Sequence, residues 1–276
     1  MDKQSDYLEA NRQMWDDKTP FHVKSNFYDV DTFKQTKNSL NAIELVEVGN
    51  VQGKSLLHLQ CHFGLDTLSW AHLGATVTGV DFAPEAIRTA QQLSEELELP
   101  AQFVCGNVLE LEGKVDQKFD IVYTSYGVIC WLPDLQLWAR TIAERLKPGG
   151  FFYIAETHPL LMTLDPETTQ VQYSYFNTQQ PDHEAITGTY ADETAPLKHT
   201  EYTWGHSISE VVNALIDNGL KIDFLNERAY YPYNCFANMQ ETTPGSGWWQ
   251  VKGWGDKVPH LFSIKATRTS APDSKK

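Results

Sequence analysis

The sequence predicts an α/β fold built on a doubly wound, mostly parallel sheet. Three observations predict it. Short apolar runs of strand length alternate with segments of helical period along most of the chain. Residues 54–85 read as strand, tight turn, helix, strand and then an acid, which is the first half of a nucleotide-binding α/β unit. Glycine and proline punctuate the joints, at Gly74, Pro84, Gly219 and the run KPGG at 147–150.

The unit at 54–85 organises the rest. Residues 55–59 (SLLHL) are apolar enough for a buried strand, and a polar turn follows that ends in Gly64. Residues 65–73 place Leu and Trp at helical spacing, Gly74 stops that helix, and the β-branched run 76–80 ends in Asp81. In such units the turn holds the charged part of a cofactor at a helix N-terminus, and the acid at the second strand's tip accepts from ribose hydroxyls. Upstream, Tyr7, Leu8, Met14 and Trp15 share a helical face, 21–33 is aromatic-rich and irregular, and 39–48 is helical with Gly49 as its stop. Residues 1–50 are thus expected to be a helical extension. It is either a layer over one sheet edge or a lid whose Trp15, His22 and Tyr28 reach the site.

Downstream, Pro84 opens a helix to about residue 97, and 101–104, 119–123 and 151–155 read as strands. A helix spans 135–146, closed by the KPGG run. Residues 159–206 break the rhythm. Their segments 171–178, 186–192 and 199–206 alternate aromatic and polar residues, which predicts a β-rich insertion of antiparallel strands. A helix at 207–218 takes Ser207 as N-cap and Gly219 as stop, and 221–227 and 261–267 are strands. Between them lies a loop rich in Gly and Trp, with Trp248, Trp249 and Trp254. The main domain is therefore drawn at 51–268, with 269–276 as a disordered tail.

Composition narrows the partners. A chain of 276 residues with 22 Lys and Arg against 36 Asp and Glu carries a net charge of −14. Such a surface repels phosphate backbones, so a nucleic-acid partner is not expected. Cys61, Cys105, Cys130 and Cys235 show no CxxC pairing and suit a reducing compartment. The polar residues 1–13 do not read as a signal peptide, and no apolar run is long enough to span a bilayer. A cytoplasmic protein without membrane contact is expected, and no pattern specifies an oligomeric state.

Three motifs in order carry a resemblance to a known family. VTGVDFAPEAI ends its strand in Asp81-Phe82, Gly106-Asn107-Val108 forms a turn after the third strand, and LKPGG precedes the fifth. From about residue 54 to 268 the chain resembles the class I S-adenosylmethionine-dependent methyltransferases, and within them a bacterial group with an HLQCHFG-type first motif. The resemblance implies a Rossmann-like sheet of seven strands with the last antiparallel, S-adenosyl-L-methionine as cofactor, and methyl transfer. It places Asp81 and Phe82 at the ribose, Asn107 and Val108 at the adenine, and Tyr126 beyond the fourth strand.

The first motif departs from the family. His58 stands where an acid is usual, and Gln60 and His62 stand where the first two glycines are usual, leaving only Gly64. Glycine permits a positive φ and close backbone approach. The expectation is that the side chains of Gln60 and His62 turn aside, with His58 near the cofactor's amino acid end. The alternative is a degenerate, non-catalytic module that binds the cofactor, or nothing, and acts through a partner. A zinc site at His58, Cys61 and His62 is not expected, because HxxCH is not a usual zinc spacing. A nicotinamide cofactor would want GxGxxG here.

The family's nucleic-acid enzymes carry Asn or Asp before Pro-Pro-aromatic after the fourth strand, where this chain has Thr124-Ser125-Tyr126-Gly127. A small-molecule acceptor is therefore expected, ahead of a protein side chain. Ligands in open α/β sheets sit beyond the carboxyl ends of the strands, which makes His158 the first candidate for a general base and Glu156 the second. For His158 a structural hydrogen bond ahead of Pro159 is the competing reading.

Overall fold

The apolar runs assemble into one seven-stranded sheet with helices on both faces. The computed structural model describes residues 3–269. Its strands are β1 (Ser55–Leu59), β2 (Thr76–Asp81), β3 (Ala101–Cys105), β4 (Phe119–Ser125), β5 (Leu146–Thr157), β6 (Asp182–Thr187), β7 (Lys198–Thr203), β8 (Leu220–Arg228), β9 (Met239–Glu241), β10 (Trp249–Val251) and β11 (Leu261–Arg268). The main sheet has the order β3-β2-β1-β4-β5-β11-β8. β11 runs antiparallel to both its neighbours, and the pairs from β3 to β5 are parallel. The last strand in the chain is thus the antiparallel one, as the family resemblance implies.

The helices are α1 (Lys3–Lys24), α2 (Val30–Thr36), α3 (Ala42–Val48), α4 (Leu65–His72), α5 (Pro84–Glu96), α6 (Leu135–Arg145) and α7 (Ile208–Asp217). Strand alternation divides the core. Leu57 and Leu59 join Phe152, Ile154, Trp138 and Leu215 on the α6 and α7 face. Leu56 and Tyr123 face the other way, with Trp70 of α4 and Val48 of α3. Each such fully buried side chain stabilises the fold by roughly 1.5–3 kcal/mol.

Several boundaries differ from the sequence reading, each for a local reason. α1 runs through Pro20 to Lys24, so Phe21 and His22 are helical rather than irregular. The ring removes one helix hydrogen bond. The docked face of Asn11, Met14, Lys18, Thr19 and His22 outweighs that loss. α3 begins at Ala42 rather than residue 39. Ser39 stays outside because its Oγ bonds Asp66 Oδ1 at 2.6 Å and its amide bonds Ser69 Oγ at 3.0 Å. In the insertion, β6 and β7 form a hairpin, but 171–178 adds only a single bridge, from Val171 to Leu164. Ser174 Oγ bonds the carbonyl and amide of Phe176, and Asn177 Oδ1 accepts from the Gln179 amide, so local side chains turn the chain where a strand was expected. The Trp-rich loop carries the β9–β10 hairpin. The expected tail lies outside the described residues apart from Thr269. Among the described residues no helix is long and apolar enough to cross a membrane.

α1 is fastened at two places. Asn11 exchanges two hydrogen bonds with the Tyr202 backbone on β7, at 2.7 and 3.0 Å. Asp16 Oδ1 accepts from the Glu85 amide at 2.6 Å, at the first turn of α5. These contacts bring α1 against the turn that follows β1.

Candidate active site

The turn between β1 and α4 is where the sequence departs most from the family it resembles, and the backbone keeps the geometry that glycines would give. Gln60, His62 and Gly64 lie at φ 55°, 49° and 82°. Side-chain-bearing residues in that left-handed region cost about 1–2 kcal/mol each. Tertiary contacts hold both. Gln60 Nε2 donates to Val128 O at 2.9 Å, joining the end of β1 to the loop after β4. His62 Nε2 lies 2.9 Å from His22 Nδ1 of α1. At Gly64 crowding adds to the positive φ, since a Cβ would lie 2.8 Å from the Phe103 ring.

Asp81 closes this turn from the side of β2. Its Oδ2 accepts from the His62 amide at 2.8 Å and its Oδ1 from the Ala83 amide at 3.0 Å. Burial pushes the carboxyl up to about 6, against the lowering effect of those amides. It is therefore an anion at neutral pH. Phe82 follows it, half-buried. Beyond β3, Asn107 Oδ1 accepts from the Leu109 amide at 3.0 Å, which shapes the Gly106-Asn107-Val108 turn. Val108 belongs to the core with Leu111 and Val115.

His58, expected near the cofactor's amino acid end, is 2% exposed on the α4 face of the sheet. Its Nδ1 lies 2.8 Å from Thr67 Oγ1 and its ring meets Tyr123 edge-on. Burial pushes the imidazole down to about 3, so the ring is neutral. Its place follows from strand alternation, which turns residue 58 to the same face as Leu56.

The two base candidates are both engaged. Glu156 accepts from the amides of Gly127, Val128, Ile129 and Thr157, so it anchors the loop after β4. Burial raises its pKa, opposed by those four amides. His158 Nε2 lies 2.8 Å from Glu227 Oε1, and its Nδ1 accepts from the Leu160 amide at 3.1 Å. Burial lowers its pKa, with Glu227 opposing. Tyr126 donates its hydroxyl to Glu44 Oε2 at 2.7 Å and its amide to Ala155 O at 2.9 Å.

Residues that the sequence reading did not single out complete the site. Glu44 of α3 is fully buried, and Asp66 of α4 lies beside it. The Tyr123 hydroxyl lies 3.3 Å from Glu44 and 3.4 Å from Asp66. Burial and the Asp66 charge push Glu44 up to about 8. The signal for Glu44 was there to be read: it lies four residues before Val48 on one helical face, and Val48 is buried. Aromatic rings from four segments gather there, with Trp15, Tyr28 and Tyr126 of the sequence reading among them. Trp15 meets His62 and Trp131 at 5.4 and 5.3 Å, and Phe27 meets Tyr190 and Tyr233 at 5.2 and 5.4 Å. Tyr126 packs on Tyr233 at 5.5 Å, and Tyr28 shares a hydrogen bond with Tyr190. Among the described residues no three His, Cys, Asp or Glu side chains are grouped to hold a metal ion.

These residues suit a nucleoside bearing an amino acid tail. Asp81 could accept from ribose hydroxyls, and Gln60 Oε1, a buried acceptor with no hydrogen-bond partner, could accept from an ammonium.

Residues 57–154 match a family described as methyltransferase domain. Over 105 residues the chain is 34% identical to a ubiquinone biosynthesis O-methyltransferase of Methylobacterium nodulans, covering 38% of this chain and 41% of that protein. The protein of that name from Xanthomonas euvesicatoria pv. vesicatoria is 30% identical over 136 residues, covering 48% and 56%. The chain spans about half the length of the curated relatives it matches. Among solved structures, an S-adenosylmethionine-dependent methyltransferase of Clostridium acetobutylicum aligns with TM-score 0.58 at 13% identity, covering 89% of this chain and 99% of that one. One from Mesorhizobium loti gives 0.54 at 19%, covering 80% and 93%. At such identities the likeness establishes the fold. The matched domain runs from β1 into β5, the half of the sheet that carries the left-handed turn and Asp81. On that footing residues 57–154 match a methyltransferase domain, and the chain has the fold of S-adenosylmethionine-dependent methyltransferases.

Proposed function

We propose that this chain transfers a methyl group from S-adenosyl-L-methionine to a small-molecule acceptor. The observation that carries the reading is the turn at residues 60–64, which keeps a left-handed backbone beside Asp81 although two of its glycine positions bear side chains. When bound, the cofactor supplies an electrophilic methyl group on sulfur. Asp81 would hold the ribose, the 106–108 turn the adenine, and Gln60 the amino acid end. Phe82, Val108 and Tyr126 shape these contacts from behind, and His58 supports the turn through Thr67. The covering helix α1 and the turn after it act as a lid, placing Trp15, His22 and Tyr28 against His62 and excluding water.

The clustered rings of Phe27, Tyr126, Tyr190 and Tyr233 would favour a planar acceptor. Relatives named for ubiquinone biosynthesis support a small acceptor, and the charge of −14 argues against nucleic acid. We assign Glu156 and His158 to holding the strand ends, since their polar atoms are committed to backbone amides and to Glu227. Rate enhancement then rests on positioning and water exclusion. The free thiols suit a cytoplasmic setting. A screen of small hydroxyl, amine and thiol compounds, reading release of S-adenosylhomocysteine, tests the proposal. Turnover on a planar member is expected. Cofactor binding with no turnover across the screen would favour a non-catalytic binding module.

A further inference from the structure

We propose that His22 of α1 and Thr189 of the insertion are positioning residues for the cofactor turn, acting through the imidazole of His62. The inference rests on the cofactor reading above. His62 stands at φ 49°, which glycine enters freely and a residue with a side chain resists. Its ring supplies the restraint. His62 Nε2 lies 2.9 Å from His22 Nδ1, and His22 Nε2 lies 2.5 Å from Thr189 Oγ1. Two neutral rings satisfy this chain in either polarity. His62 Nε2–H donates to His22, whose Nε2–H donates to Thr189, or the Thr189 hydroxyl starts the same chain in reverse. Trp15, Tyr28 and Phe63 enclose the His62 ring at 5.4, 5.5 and 4.5 Å.

The same residue's amide donates to Asp81 Oδ2 at 2.8 Å. His62 is therefore gripped by the lid and the insertion through its ring, and grips the ribose-binding acid through its backbone. A glycine at this position would form the turn unaided and would be indifferent to the lid. The side chain makes the turn depend on it.

The surrounding charges fit a neutral chain. Burial and Lys18 of α1 push His22 down to about 3, and burial, His22 and Lys18 push His62 well below its ordinary value. Lys18 pairs with Glu201 of β7 at 3.8 Å, and the facing hydroxyls of Tyr28 and Tyr190 bond each other. Neutral rings in the fold therefore contribute stability that is complete above the ordinary imidazole value of 6.5 and is lost as pH falls from there toward about 3, where His22 takes up a proton in the fold.

The test is calorimetric titration of S-adenosylhomocysteine at pH 7.5 into the wild-type chain, His22→Phe, His62→Gly and the double variant. His22→Phe is expected to weaken binding about tenfold in the wild-type background. In the His62→Gly background the same change is expected to alter affinity by less than about twofold. His22→Asn, which keeps a polar atom near the place of Nδ1, should bind more tightly than His22→Phe. Wild-type affinity in His22→Phe, or an equal loss in both backgrounds, overturns the positioning role while the cofactor reading stands. A wild-type chain that binds no S-adenosylhomocysteine overturns the cofactor reading, and this inference with it.

Discussion

Glu44→Gln should stabilise the protein, and increasingly so as pH rises. Glu44 is fully buried, and its carboxylate meets the hydroxyls of Tyr123 and Tyr126 at 3.3 and 2.7 Å. Asp66 stands on the other side of the Tyr123 hydroxyl at 3.4 Å. Burial, then the Asp66 charge, raise the Glu44 pKa from 4.5 to about 8. A raised carboxyl favours the protonated form in the fold, so its contribution is complete below 4.5 and is lost as pH climbs to about 8. Each pH unit in that window is worth about 1.4 kcal/mol, or roughly 3 kcal/mol by pH 7. Glutamine has the shape of the protonated acid and does not titrate, and one tyrosine hydroxyl can rotate to accept from its amide. Urea unfolding of both proteins at pH 5, 6, 7 and 8 measures the gap. It should favour the variant and widen with pH by about that slope. A gap that stays constant, or a wild type more stable throughout, would refute the reasoning and mean that Glu44 is ionised in the fold.

Two further changes separate structural from chemical roles beyond β5. Glu156→Gln keeps one oxygen but turns an amide toward backbone donors now served by the carboxylate, and should cost about 2–4 kcal/mol in thermal or urea unfolding. His158→Ala removes the bonds to Glu227 and Leu160. It should cost about 1–2 kcal/mol of stability and leave S-adenosylhomocysteine affinity unchanged by calorimetry. Once an acceptor is in hand, a drop in turnover of about 10²–10⁴ with the fold intact would restore His158 as a base.

The sheet was legible in the sequence because strand-length apolar runs, Gly74 and Asp81 are local signals. The seventh strand's direction came with the family resemblance and not from its residues. The turn was legible only in part. Loss of two glycines suggested a degenerate motif, whereas the left-handed backbone at Gln60 and His62 is kept by Val128 and His22, both far away in sequence. Position at a strand end marked Glu156 and His158. What each side chain bonds there depends on residues 127–129 and on Glu227, which no local pattern reveals. Segment 171–178 looked like a strand by alternation, but Ser174 and Asn177 spend their side chains on their own backbone. The stretch from residue 21 looked irregular, and α1 runs through Pro20 into it because its buried face is docked along the core.

The most direct measurement is calorimetric titration of S-adenosylhomocysteine into the wild-type chain and Asp81→Ala at pH 7.5, with NADH as the control ligand. At that pH the Asp81 carboxyl, pushed up to about 6, is ionised and able to accept from both ribose hydroxyls. Wild type is expected to bind with a Kd on the order of micromolar and to ignore NADH. Asp81→Ala should bind more than about tenfold more weakly, since charge-assisted ribose bonds are worth about 2–4 kcal/mol. Equal affinity in the two proteins, or no binding to wild type, would contradict the placement of the cofactor at this turn.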